Sequence, residues 1–125
     1  MIANLQTIRF TNLNFFASVT RLENVELKID VNHNVQNISD DPLQKKVVTK
    51  ILIYPENEAA LDGGFGVKVE AEAFIVLDTL GTDKQIHAET AKVVFPYLRA
   101  AIANMMTIAE FPPFHIPFFE LTVEL

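Results

Sequence analysis

The sequence lacks cysteine altogether and is poor in basic residues. Without cysteine the chain can form no disulfide, no thiol nucleophile and no cysteine-ligated metal site. Ten Lys and Arg residues against 16 Asp and Glu residues give a net charge of −6, which argues against nucleic acid and anionic lipid surfaces as partners. No apolar run approaches the roughly 20 residues of a membrane helix, and the N-terminus has no signal-peptide pattern. These absences predict a soluble, cytoplasmic protein without membrane insertion.

Apolar residues, and phenylalanine above all, dominate the amino-acid composition. Half of the 125 residues are hydrophobic, and Phe accounts for ten of the twelve aromatic residues. Phe carries no hydrogen-bonding group, so this chemistry suits a core or a groove for apolar ligands. The length and composition predict a single globular domain over residues 1–125.

Alternation of apolar and polar residues predicts four strands before any helix. Residues 5–16 alternate with a break, which predicts an edge strand with a bulge or bend near Thr11 and Asn12. The other strands are predicted at 24–32, 46–54 and 65–77. Residues 119–125 alternate in the same way and predict a further strand-like segment in a short C-terminal tail.

A helical period follows the strands, over residues 88–110. Pro96 lies inside this segment, which predicts a kink or a true helix start near Phe95. The apolar face is too broad for one small sheet to cover, so we expect the helix to contact a second subunit as well. Strands followed by a helix predict an α+β fold, with a four-stranded antiparallel sheet and one long helix packed on one face.

The polar residues give little sign of catalysis. His33, His87 and His115 have no carboxylate or second histidine at metal-ligand spacing, and we interpret them as isolated surface or loop histidines. Glu70 and Glu72 share one face of the 65–77 strand, where a solvated position is the simplest interpretation. The sequence therefore predicts no metal site and no enzyme.

The segment FPPFHIPFF, residues 111–119, combines an irregular backbone with core-like side chains. Two interpretations stay open: the aromatic residues close over the sheet as core, or they line a groove for apolar segments of other chains. The candidate polypeptide-binding residues are Phe95, Tyr97, Phe111, Phe114, Ile116, Phe118 and Phe119.

The last third of the chain contains Phe95-Pro96-Tyr97-x-Arg99, then Met105, and then Phe111-Pro112. With this pattern it resembles the SecB family of export chaperones. That family has a Phe-Pro-Tyr-x-Arg helix with Met in its last turns, followed by Phe-Pro, a loop with another Pro, and a Phe-containing final segment. The matching residues are Phe95, Pro96, Tyr97, Arg99, Met105, Phe111, Pro112, Pro117 and Phe119. The strands upstream are similar in order and length, so the resemblance extends over nearly the whole chain.

This resemblance implies a homo-oligomer, either a dimer or a dimer of dimers, that binds non-native polypeptides in apolar grooves without cofactor or catalysis. It also implies protein export with the SecA motor, but two departures count against SecA. The family's second helix and acidic tail have no counterpart after residue 119. In addition, Asn12, Phe16 and Lys68 stand where the family docks SecA through carboxylates. Glu70 and Glu72 keep that face partly acidic, and they are the candidate partner-docking residues.

Three hypotheses therefore remain. The first is a holdase, a chaperone that holds non-native polypeptides, in a divergent branch from bacteria or phage. The second is a dedicated interaction module of the same fold that serves one partner, for example an antitoxin. The third is an enzyme or small-ligand binder that uses the aromatic cluster as a pocket, which no His or carboxylate spacing supports.

Overall fold

The computed structural model describes residues 1–17, 27–55 and 65–108. These residues form four strands and one helix: β1 (Ala3–Ala17), β2 (Leu27–Asn37), β3 (Gln44–Pro55), β4 (Phe65–Leu77) and α1 (Asp83–Ile108). All three strand pairings are antiparallel, and α1 packs on one face of the sheet. The predicted α+β architecture is confirmed. The predicted strand-like segment at 119–125 lies outside the described residues.

The strands are ordered β1-β4-β3-β2 across the sheet, so β1 and β2 form its two edges. The pairing of β1 with β4 shifts register between Leu5 and Thr7, and again between Phe10 and Asn12. The second shift confirms the edge strand with a bulge that the sequence predicts near Thr11. Such an extra residue restores the inward phase of the apolar side chains that follow it.

Strand β2 differs from its predicted bounds of 24–32, because it continues to Asn37. Residues 24–26 lie outside the described part of the chain. The inward-facing positions run on past Val31 to His33 and Val35, which pair with Thr49 and Val47 of β3. A polar residue at an inward position interrupts the apolar pattern, so the sequence alone ends the strand too early.

The core lies between the inner sheet face and α1. The small side chains of Ala71 and Ala73 are fully buried at the centre of β4, and each larger apolar side chain buried here contributes about 1.5–3 kcal/mol. The core side chains are Val47, Ile51, Ile53, Val67, Val69, Ala71, Ala73, Ile75 and Leu77 of the sheet with Ile86, Ala91, Val94, Phe95, Leu98, Ile102 and Met106 of the helix.

Helix α1 begins at Asp83, five residues before the predicted start. A capping box fixes this end: the Gln85 amide N–H donates to the Thr82 hydroxyl (3.2 Å), and the Thr82 amide N–H donates to the Gln85 side chain (2.9 Å). The helix continues through Pro96 to Ile108, so the alternative start near Phe95 is wrong. Residues 109 and 110 lie outside the described residues.

Candidate functional site

Two of the seven predicted polypeptide-binding residues lie in the described part of the chain. Phe95 is a core residue, only 5 % exposed, and its ring meets the ring of His33 edge-on with centroids 5.7 Å apart. Tyr97 is 47 % exposed on the solvent side of α1. The other five, Phe111, Phe114, Ile116, Phe118 and Phe119, lie outside the described residues.

Tyr97 belongs to a line of apolar residues along the C-terminal half of α1, which we call the α1 stripe: Tyr97, Ala101, Met105 and Ile108. Their spacing of four, four and three residues places them on one side of the helix. Ala101 and Met105 are half-buried against the core, whereas Ile108 is 83 % exposed. The stripe adjoins the buried face of α1, so the helix carries more apolar surface than the sheet covers.

The predicted docking carboxylates, Glu70 and Glu72, lie on the sheet face that points away from α1, here called the outer sheet face. Glu72 is already engaged within the chain, because it lies 3.6 Å from the guanidinium of Arg9 and 3.6 Å from the ammonium of Lys46. Its side chain is only 18 % exposed. Glu70 is the cross-strand neighbour of Lys50, with no ion pair within 4 Å among the described residues.

The interpretation of His33 and His87 as isolated surface or loop histidines is wrong. Both are buried, at 7 % and 8 % exposure, and their rings lie edge to face with centroids 4.8 Å apart. The physical reason is that His33 occupies an inward position of β2, directly under the first turns of α1 that carry His87. His115 lies outside the described residues.

The hydrogen bonds around His33 determine its tautomer. The Thr90 hydroxyl donates to the backbone carbonyl of Ile86 (2.7 Å), so its oxygen must accept the bond from His33 Nε2 (2.9 Å). His33 Nδ1 is then the acceptor for the Thr49 hydroxyl (2.7 Å). Neutral His33 thus has both ring nitrogens satisfied, and it joins β3, β2 and α1 in one chain of hydrogen bonds.

The neutral form of His33 is strongly favoured. Burial, followed by the nearby His87 ring, lowers the pKa of His33 from 6.5 to about 4. His87 Nε2 donates to the backbone carbonyl of His33 (2.8 Å), which leaves His87 Nδ1 as a buried acceptor with no hydrogen-bond partner among the described residues. We interpret these imidazoles as structural, because their N–H donors are taken up by bonds within the fold.

A polar hollow of about 460 Å³ opens beside this pair, between the β2 edge and the start of α1. Lys45 is buried there, and its ammonium donates to the side-chain oxygen of Asn37. The hollow is lined by Asn32, His33, Asn34, Val35, Asn37, Lys45, Asp83, Ile86 and His87. Within residues 1–17, 27–55 and 65–108, no group of three or more His, Cys, Asp or Glu side chains could hold a metal ion.

No protein-family model matches the sequence, and no curated protein sequence matches it. The architecture is nevertheless similar to a solved structure, the Mycobacterium tuberculosis SecB-like chaperone Rv1957 in complex with a ChAD peptide from the Rv1956 HigA1 antitoxin. The TM-score is 0.66 at 14 % sequence identity, over 92 % of this chain and 88 % of that chain. The fold is SecB-like.

The SecB-like fold confirms what the Phe-Pro-Tyr-x-Arg motif implies for the architecture. Within it, the motif lies at the middle of α1, where Phe95 faces the core and Tyr97 faces outward. Among the described residues, no helix has both the length and the apolarity that crossing a bilayer requires.

The His33–His87 pair was not predicted from the sequence, although the sequence does contain a signal that His33 is buried. His33 lies two residues after Val31 and two before Val35, in phase with the inward positions of β2. The partners Thr90 and His87 come from α1, 54 to 57 residues further along the chain. Nothing in the local pattern of β2 connects these positions.

Proposed function

We propose that this chain is a molecular chaperone of the holdase type, which binds non-native polypeptide segments through the α1 stripe and the aromatic residues that follow it. The observation that carries this proposal is the exposed apolar surface of Tyr97 and Ile108 on a SecB-like fold. Phe111, Phe114, Ile116, Phe118 and Phe119 extend that surface in sequence. Their side chains offer apolar area without polar specificity, which suits clients of varied sequence.

Binding of this kind requires no catalytic group. The described imidazoles of His33 and His87 are used in bonds within the fold, and Glu72 is engaged by two cations. We therefore propose a non-enzymatic protein that acts by binding alone. An acidic chain with this composition also fits a cytoplasmic location.

The same surface provides the argument for self-association. The α1 stripe is a continuous apolar line beside the buried face of the helix, and burial of such a line against a second copy is favourable at roughly 25 cal/mol per Å². We propose a homo-oligomer, either a dimer or a dimer of dimers, built through α1, in which a second copy and a client segment compete for the α1 stripe. A monomer by light scattering at micromolar concentration would contradict this proposal.

A dedicated single-partner module is the second candidate, and two observations favour it. The similar solved chaperone is in complex with a peptide of one antitoxin. In addition, the resemblance to the SecB family places its SecA-docking carboxylates at positions where this chain has Asn12, Phe16 and Lys68. All three lie on the outer sheet face, so we propose that this protein acts without SecA.

The holdase proposal is tested by suppression of aggregation of a thermally unfolding model enzyme, followed by light scattering. We expect protection by the unmodified chain and weaker protection by two double variants, Tyr97→Ser/Ile108→Ser and Phe114→Ser/Phe118→Ser. Leu80→Ser is the matched control, because Leu80 is 61 % exposed and lies before the opposite end of α1. Equal, negligible protection by all four proteins would refute the proposal.

Co-purification distinguishes the two candidates. A tagged chain that recovers many unfolded proteins supports the holdase, whereas one partner at fixed stoichiometry supports the dedicated module. If the Tyr97→Ser/Ile108→Ser variant no longer recovers that single partner, the partner binds at the α1 stripe.

A further inference from the structure

The outer sheet face has a charge opposite to that of the whole protein. Five cationic side chains occupy it against three carboxylates, a net charge of +2, whereas the chain as a whole carries −6. The cross-strand register assigns these positions to the outer face: Arg9, Lys28, Lys46, Lys50 and Lys68 are the cations, and Asp30, Glu70 and Glu72 are the carboxylates.

Two of those three carboxylates already have partners within the chain. Glu72 lies between Arg9 and Lys46, and Asp30 accepts a hydrogen bond of 2.6 Å from the Tyr54 hydroxyl. By contrast, Lys50 and Lys68 form no ion pair within 4 Å among the described residues.

Lys50 and Lys68 are also close to each other. Lys50 pairs with Glu70, and Lys68 pairs with Leu52, so the two lysines are diagonal neighbours across β3 and β4, with Cα atoms about 7–8 Å apart. A single carboxylate placed above the sheet can reach both ammonium groups. Charge-assisted bonds of this kind are roughly twice as strong as neutral ones.

An apolar hollow of about 320 Å³ adjoins Lys68 on the same face. It exists because Gly66 has no side chain to fill the space between Phe16 of β1 and Tyr54 of β3. Phe16 is 55 % exposed and forms one wall. The remaining lining residues are Asn14, Leu52, Ile53, Val67 and Lys68.

We propose that this hollow, which we call the Gly66 hollow, docks an acidic segment of a partner polypeptide. An apolar side chain of the partner occupies the hollow, and a neighbouring Asp or Glu binds Lys68 and Lys50. The volume lies near the lower limit of about 300 Å³ for ligand pockets, which suits one or two side chains. This surface lies on the opposite side of the sheet from the α1 stripe, so the proposal is independent of the holdase function.

A polypeptide is favoured over nucleic acid by the overall electrostatics. Nucleic acids bind through many phosphate contacts and are repelled at long range by a chain of charge −6. A short acidic peptide needs only the local cations and one apolar anchor. Complementary charge then guides the segment onto this cationic face of an acidic protein.

The test uses a fluorescein-labelled peptide, GSEEFEESG, and fluorescence anisotropy at low and moderate salt. We expect saturable binding to the full chain that weakens with salt, and no binding of the matched peptides GSKKFKKSG and GSEEAEESG. Lys50→Glu/Lys68→Glu should weaken binding at least about tenfold, while Lys84→Glu/Lys92→Glu, with the same change in charge on α1, should leave it within about twofold.

Gly66→Val tests the hollow without damaging the fold. A Cβ atom at this position would lie 3.7 Å from Phe16 Cδ1, an ordinary van der Waals contact, and a β-branched residue suits a strand. We therefore expect an unchanged or raised melting temperature together with at least about tenfold weaker peptide binding. Suppression of aggregation should be unchanged, which separates failure of this proposal from failure of the holdase function.

Three results would overturn the proposal. The first is equal binding of the Glu and Lys peptides, and the second is binding that Gly66→Val and Lys50→Glu/Lys68→Glu both leave intact. The third is any result that assigns the face to another occupant: either a labelled oligothymidine binds it more tightly than the acidic peptide, or light scattering shows that the variants alter only self-association.

Discussion

Acidification is expected to destabilise this protein through His33. The ring is 7 % exposed, and its neutral form accepts a bond from Thr49 and donates one to Thr90. Burial, and then the His87 ring 4.8 Å away, lower the pKa of His33 from 6.5 to about 4. Between these two pH values the unfolded chain binds more protons than the folded chain. The free energy of unfolding therefore falls as the pH falls through this window.

The size of the effect follows from the same two pKa values. With one group titrating at 6.5 when unfolded and at about 4 when folded, the loss is about 2 kcal/mol at pH 5 and about 3 kcal/mol at pH 4. A domain of ordinary stability has about 5–15 kcal/mol in total. The loss is thus large enough to shift a urea transition by an easily measured amount.

Urea unfolding at about pH 7.5, 6, 5 and 4 measures this dependence. Carboxylates titrate in the same range, so the comparison is with His33→Gln, which keeps every carboxylate and removes the imidazole. We expect the difference in the free energy of unfolding between the two proteins to shrink as the pH falls. An NMR titration of the His33 ring gives its pKa directly. Parallel pH profiles for the two proteins, or a ring pKa of about 6 or higher, would refute the reasoning.

Two further predictions concern α1. Thr82→Ala removes the capping hydroxyl that accepts from the Gln85 amide and should lower the free energy of unfolding by about 1 kcal/mol, whereas Thr82→Ser should keep most of that stability. An unchanged urea midpoint in Thr82→Ala would contradict this role. Pro96→Ala should raise the free energy of unfolding by about 1–3 kcal/mol, because it restores an amide donor inside the helix at an exposed position. A lowered melting temperature would show instead that the proline is needed for packing.

The alternation of apolar and polar residues predicted the strands well, because each strand has one face on the core. In β4, Val67 and Val69 are buried while Lys68 is not, as the period of two requires. The end of β2 and the start of α1 were missed for one shared reason. His33 and His87 are polar residues at buried positions, and their burial is made favourable by bonds across the fold that no local pattern contains.

The two predicted binding residues in the described part of the chain lie in different environments for a similar reason. A motif fixes positions along the helix, but the orientation of the helix on the sheet decides which of them face solvent. Phe95 packs into the core whereas Tyr97, two residues later, lies outside. The Gly66 hollow could not be predicted from the sequence, because it depends on the pairing register of β1 with β4, which places Gly66 beside Phe16.

The position of β1 has a consequence for synthesis on the ribosome. Among the four described strands it pairs with β4 alone, so Ala3 pairs with Leu77 at the end of the last of these strands. At a translation rate of about 5–20 residues per second, β4 leaves the ribosome roughly 3–10 s after β1. During that time Phe10 and Phe15, which pack against the core in the folded protein, have no sheet to pack on, while β2 and β3 can already form a hairpin. The yield of folded protein is therefore expected to depend on translation speed across the middle of the message more than on its speed after β4.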